Sequence, residues 1–271
     1  MNPVIYTSKF KDVIQFAKSK DFFLGSGNPN AKILFVGKEA AINLLIASDQ
    51  HRREIINNAN DWENNCNNKV QFSDVDNWFN RDYVPIYNPL YPYQGQKKTI
   101  ESRNESGEII RGKGGTSKTW YNYQKIIDTI YFNDLSSELI NFHQHAFITE
   151  LNQITGSYSK NVPKKSRRES IDKRKELFQK PFFNEFPITI VAVGHYVRDF
   201  DIDLEKLFRM KFHEEESKKI SNGLNKKYIN VHYDDLEKPT KLLIHTNQLS
   251  MISSELLNRL GEICKDFLEK Q

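Results

Sequence analysis

The stretch Lys32-Ile-Leu-Phe-Val-Gly-Lys-Glu-Ala-Ala41 limits what this chain can become more than any other. Four apolar residues, Ile33 to Val36, run without interruption into Gly37, and a charged pair, Lys38 and Glu39, follows at once. An unbroken apolar run closed by glycine is the pattern of a parallel strand buried on both faces. It delivers a carboxylate at the strand's C-terminal end, where open α/β sheets bind their ligands. Three further runs read as strands, Ala146-Phe-Ile-Thr-Glu-Leu-Asn152, Phe186-Pro-Ile-Thr-Ile-Val-Ala-Val-Gly194, which again ends in glycine, and Lys241-Leu-Leu-Ile-His245. Every connection between them is long enough for a crossover. The expectation is an α/β chain with a central, mostly parallel four-stranded sheet between two helical layers, α/β/α. It reads as a single domain over residues 1–271, with insertions at about 50–118 and 155–180.

Helical spacing appears at Phe10, Val13, Ile14 and Phe16 or Ala17, predicting an amphipathic helix over residues 8–20. Gly25 to Asn30 is a cluster of breakers, and Ala41 to Ala47 should open a helix. Residues 50–80 are polar and Asn-rich, an insertion packed by Trp62, Phe72, Trp78 and Phe79. Tyr83 to Tyr93 carries three prolines and four tyrosines, which make a rigid loop. It is either strapped down by its own rings or a stacking wall for a flat ligand. Residues 94–118 are charged and Gly-rich, a flexible hairpin or a phosphate-contacting loop, although the order of residues is wrong for a Gly-Lys-Ser/Thr cradle. Thr116 or Ser117 can cap a helix over 118–131. Residues 158–175 are strongly basic, by default a solvated face or mobile loop, and functionally a grip on phosphates. A helix is expected over 196–212, irregular chain over 213–232 and a closing helix from about 253 to 268.

Composition excludes several classes. No apolar run in these 271 residues approaches the roughly 20 needed to span a membrane. The N-terminus lacks a basic-then-apolar signal pattern, so the expected location is cytoplasmic. Cys66 and Cys264 stand far apart, and neither has a neighbour at metal-ligand spacing. No metal or other cofactor is expected. The net charge of +4 permits a polyanionic partner without requiring one.

Three of the four strand candidates present a polar group at the C-terminal end: Glu39, Glu150 and His245. A parallel sheet gathers such ends on one edge, giving a cleft with two carboxylates and an imidazole. Glu39 suits a general base or a stabiliser of developing positive charge. His245 suits a donor to a developing oxyanion. Each alone has an ordinary reading, a glutamate near a helix start and a histidine satisfied in a turn.

These residues resemble the motifs of the uracil-DNA glycosylase-like superfamily, of which the chain would be a divergent member. The first motif of that family, a strand, Gly, any residue and an acid or amide, is matched by Gly37-Lys38-Glu39. Its last motif, a strand, His and then Leu-Ser, is matched by His245-Thr-Asn-Gln-Leu249-Ser250. Phe147-Ile-Thr-Glu150 stands where the family presents an Asn to the base, and Ile188 to Gly194 resembles its third strand. The resemblance spans about residues 32–268 and implies a DNA-repair hydrolase. Such an enzyme flips a nucleotide into a pocket and hydrolyses its N-glycosidic bond. By that resemblance Glu39 would orient water and stabilise the oxocarbenium ion. His245 would hydrogen-bond the departing base, and Leu249 would fill the gap it leaves. Gly37, Lys38 and Glu150 would line the substrate pocket, and Tyr91 or Tyr93 would stack on the base. The partner implied is nucleic acid, DNA before RNA.

The chain departs from the family pattern at three places. Ala40 and Ala41 follow Glu39 where Pro and an aromatic or Gly often stand, and Thr246 replaces a Pro. Glu150 replaces Asn, and an ionised carboxylate only accepts hydrogen bonds. On that ground a base with a donor edge is expected in preference to uracil. Other readings stand beside this one: a non-catalytic nucleobase or nucleic-acid binder with the same fold, a hydrolase of free nucleosides, or an unrelated doubly wound fold.

Overall fold

The computed structural model describes residues 2–82, 84–101, 114–133, 135, 137–156, 162–224, 227–250 and 252–271. The strands in chain order are β1 (Ser26–Gly27), β2 (Ile33–Gly37), β3 (Ala146–Glu150), β4 (Ile188–Val191), β5 (Lys211–Phe212), β6 (Ile229–Tyr233) and β7 (Leu242–Thr246). They form one sheet in the order β1-β3-β2-β4-β7-β6-β5. The four apolar runs are its middle, and β3-β2, β2-β4 and β4-β7 all pair in parallel. The expectation of a four-stranded sheet is corrected to a mixed sheet of seven. β1 pairs antiparallel with β3, β6 with β7, and β5 with β6. These three are short or polar. β1 is a Ser-Gly pair inside the breaker cluster, and β6, Ile-Asn-Val-His-Tyr, alternates as an antiparallel strand near an edge does.

Helices cover both faces of the sheet. On one face α1 (Ser8–Ser19), α3 (Asn58–Asn68), α5 (Lys164–Phe178), α6 (Tyr196–Asp199) and α7 (Leu204–Phe208) pack on Leu34, Val36, Phe147, Val191 and Leu243. On the other, α4 (Lys118–Phe132), α8 (Glu214–Ser221) and α9 (Ser254–Glu269) pack on Ile33, Phe35, Ile148, Ile190 and Ile244. All five residues of β2 are buried, as an unbroken apolar run requires. Each fully buried side chain of this kind contributes about 1.5–3 kcal/mol. Three of the long helices, α1, α4 and α9, start where hydroxyl caps stand. Thr7 accepts from Phe10 N at 3.2 Å, Ser117 from Trp120 N at 3.2 Å and Ser253 from Leu256 N at 3.4 Å.

Two helix expectations and one irregular segment need correction. Residues 41–47 are not helical, because Ile42 leaves the strand end to pack with Phe23 and Ile55, and α2 (Ser48–His51) begins only afterwards. The span 196–212 is two short helices and a strand. The break falls at Asp201, with φ 52°, and Asp203 re-caps the chain by accepting from Lys206 N at 2.9 Å. Residues 213–232, expected to be irregular, contain α8 and most of β6.

The basic run resolves differently from a mobile loop. Its first residues, 158–161, and residues 102–113 of the Gly-rich segment lie outside the described residues. From Lys164 the run is a helix whose Arg174 is 0% exposed. Its guanidinium donates to Glu150 O at 3.0 Å, Phe23 O at 2.6 Å, Thr149 Oγ1 at 3.1 Å and Gln153 Oε1 at 3.3 Å. Such saturation is what makes a buried arginine tolerable. It ties α5 to the C-terminal end of β3. Among the described residues no helix is long and apolar enough to cross a membrane.

Candidate functional site

Parallel pairing sets the C-terminal ends of β3, β2, β4 and β7 along one edge. Gly37 stands opposite Glu150, Val36 opposite Val191, and Val191 opposite His245. Pairing continues past the strands. Asn152 N donates to Lys38 O at 2.8 Å, and Gly194 N to Thr246 O at 3.0 Å. The residues just beyond each strand are therefore held in place.

Glu39 is oriented by neighbours from two other strand ends. Tyr196 Oη donates to its Oε2 at 2.7 Å, and Asn152 Nδ2 donates to the same oxygen at 3.4 Å. Tyr196 Oη accepts in turn from Arg167 Nη1 at 2.9 Å. Tyr196 is 3% exposed and opens α6 immediately after the turn that follows β4. Lys38 Nζ lies 4.7 Å from the centre of the Tyr196 ring, and the Arg167 guanidinium carbon 5.5 Å from it. Burial pulls the Lys38 ammonium below its ordinary value; Glu39 works against that, and Arg167 adds to it. Tyr196 and Asn152 escaped the sequence reading, and Arg167 entered it only as part of the basic run 158–175. Asn152 and Tyr196 each sit two residues past a residue already singled out, Glu150 and Gly194, and that is the only signal that could have found them.

Glu150 lies across Gly37. A Cβ at position 37 would collide with Glu150 Oε2 and lie 3.0 Å from its Cδ, so only glycine leaves room for this carboxyl. Oε2 is enclosed and, among the described residues, has no hydrogen-bond partner. Burial raises the Glu150 carboxyl to about 8, with the Glu39 charge adding to the rise and Arg174 opposing it. Arg174 does not neutralise it, because its guanidinium is spent on the backbone oxygen of Glu150 and three other acceptors. At neutral pH the group is thus mainly a carboxylic acid, which both donates and accepts. The expectation of an acceptor-only Glu150 is corrected, and the reason is desolvation at a crowded strand end. A neutral carboxyl offers the same pair of functions as the amide it replaces.

His245 is 8% exposed, and burial pulls it down to about 4, so the imidazole is neutral. Its Nε2 is 2.9 Å from Gly194 O and 3.2 Å from Tyr228 Oη, and its Nδ1 is 3.5 Å from Asn230 Nδ2. The network assigns the proton to Nε2, which donates to the Gly194 carbonyl. His245 therefore does not present a free donor; it must leave Gly194 before it can serve a base. With Gly194, His195, Arg198, Tyr228 and His232 it lines a cavity of about 490 Å³. Neither Glu39 nor Glu150 lines that cavity. Glu39 and Glu150 are near enough for the charge of one to raise the other, and His245 sits beyond β4, with the side chain of Lys38 packed over Gly194.

Three expected ligand contacts are buried in the core instead. Leu249 is 1% exposed, packs with the α4–α9 layer and has its carbonyl held by Asn122 Nδ2 at 2.7 Å. It is not a protruding wedge. Tyr91 is 4% exposed and donates to Ile140 O at 2.7 Å, and Tyr93 is 8% exposed and donates to Glu54. Neither ring face is open for stacking, because Tyr91 packs on Phe72 and His143 and Tyr93 on Trp78, Tyr87 and Trp120. Both serve as straps of the 83–93 loop, in which Tyr83 lies outside the described residues.

No model of a known family, no curated protein and no solved structure matches this chain.

Proposed function

We propose that this chain is a divergent uracil-DNA glycosylase-like protein that hydrolyses an N-glycosidic bond at the edge where Glu39 and Glu150 meet. One observation carries the reading. A carboxylate oriented by Tyr196 and Asn152 stands beside a second, buried carboxyl with an unpartnered oxygen. The two have opposite jobs. Glu39 positions water and stabilises the positive charge that builds on the sugar as the bond breaks. Glu150 completes its hydrogen bonds on the edge of the base. A neutral carboxyl pairs with an edge that offers one acceptor and one donor, so uracil is a substrate candidate alongside amino-bearing bases. The α/β/α layering and the parallel middle of the sheet agree with that family's architecture.

The test is base release from single-stranded oligonucleotides that each carry one candidate base, read as alkali-labile sites. Release by the wild-type protein is expected. Tyr196→Phe should lower the rate roughly tenfold to a hundredfold, the worth of a hydrogen bond to a charged group of about 1.5–3 kcal/mol. Glu39→Gln should abolish release while leaving binding intact. Absence of release with every base, together with binding that Glu150→Ala weakens, would favour a non-catalytic binder with the same site. The sequestered His245 and the separate cavity beside it are the observations on that side.

A further inference from the structure

Lys38 and Arg167 hold two positive charges against one tyrosine ring, and among the described residues neither forms an ion pair with a carboxylate. Nζ of Lys38 and the guanidinium of Arg167 flank Tyr196 at 4.7 and 5.5 Å. Among the described residues no carboxylate lies within 4.0 Å of either group. Of the nearby acids, Asp199 pairs with Arg198 at 2.9 Å and Asp201 with Arg168 at 3.0 Å, while Glu39, whose charge opposes the lowering of Lys38, is held by Tyr196 and Asn152. Arg167 gives one N–H to Tyr196 Oη, and its Nε is enclosed without a partner among the described residues. The helix that carries it opens on Pro163, which offers no side-chain cap, and its first turn contains Lys164 and Lys165 and no acid. The positive end of the α5 dipole therefore adds to the same spot.

Like charges held this close repel, and an anion seated beside both would relieve that repulsion. We propose that Lys38, Arg167 and the open first turn of α5 seat one phosphate of the substrate. The substrate is then a nucleotide, free or within a strand, and not a nucleoside. The assignment rests on the reading of the Glu39 edge as a glycosidic site and adds the substrate class to it. Tyr196 links the two functions, since it hydrogen-bonds both Arg167 and Glu39. A phosphate drawn onto Arg167 thus helps to set the reacting sugar against the carboxylate that Tyr196 orients.

The experiment is binding of a fluorescent octathymidylate to the full chain across a series of KCl concentrations. For single strands each phosphate neutralised contributes about 0.7 to the slope of log K against log salt. Lys38→Gln and Arg167→Gln should each reduce the slope by about that amount, and Arg167→Lys should restore it. A parallel titration compares thymidine monophosphate with thymidine. Tighter binding of the monophosphate, lost in both Gln variants, identifies a free nucleotide as a ligand. A reduced slope without that preference identifies the phosphate of a strand. Slopes unchanged in both Gln variants, with equal binding of monophosphate and nucleoside, overturn the proposal. The two readings fail separately. Base release with unchanged slopes removes the phosphate seat alone, whereas reduced slopes without base release leave the seat and remove the hydrolysis.

Discussion

Glu150→Gln is the substitution that reports most directly on the buried carboxyl. In the unfolded chain Glu150 loses its proton near 4.5, whereas in the fold it keeps it to about 8. Between those values the unfolded state binds fewer protons, so this group makes stability fall as pH rises. At about 1.36 kcal/mol per pKa unit, the loss at pH 8 amounts to about 3–5 kcal/mol, the lower figure allowing for water that reaches the outer part of the side chain. Glutamine keeps the shape, carries no proton to lose and escapes the penalty. The assay is urea unfolding of both proteins at steps from pH 4.5 to 8.5. His143 and His245, pulled by burial to about 3 and about 4, destabilise the fold as they charge in acid. They do so equally in both proteins and cancel in the difference. The Glu150→Gln protein should match the wild type near pH 4.5 and exceed it by several kcal/mol at pH 8. Parallel stability profiles would refute the reasoning and mean that Glu150 is ionised in the fold. Base release offers a second reading: the wild-type rate should fall as pH passes 8, and the variant's should not.

The close approach at Gly37 makes a companion prediction. Gly37→Ala should cost about 1–3 kcal/mol by overpacking against the Glu150 carboxyl, and the cost should largely vanish in a Glu150→Ala background, a coupling that a double-mutant cycle measures. Leu249→Ala should lower stability by about 2–5 kcal/mol, as for other buried leucines, and should change oligonucleotide binding only as far as it unfolds the protein, which chemical denaturation and a binding titration together decide.

The four central strands were legible because burial on both faces leaves an unbroken apolar run, and β2 has no polar residue to confuse the reading. The helices with a hydroxyl cap and a clean apolar stripe, α1, α4 and α9, were legible for the same local reason. The outer strands were not. β1 is two residues and β6 carries Asn230 and His232, so neither differs from loop until an adjacent strand supplies its hydrogen bonds. The tyrosines of the 83–93 loop show the converse: a ring that looks available in sequence becomes a strap once Glu54 or Ile140 O takes its hydroxyl.

Taken alone, the sequence determined that β2, β3, β4 and β7 exist and that Glu39, Glu150 and His245 stand at their ends. Strand identity and the residue that follows a strand are local properties. The tertiary structure decided what those residues are. It placed Glu150 over Gly37 in a site dry enough to keep its proton, and it gave Glu39 a tyrosine from beyond β4 and an asparagine from beyond β3. It also turned His245 onto the Gly194 carbonyl and sank Leu249 into the core. Protonation, orientation and exposure depend on neighbours distant in the chain, through desolvation and hydrogen bonding, and no local pattern of residues carries them.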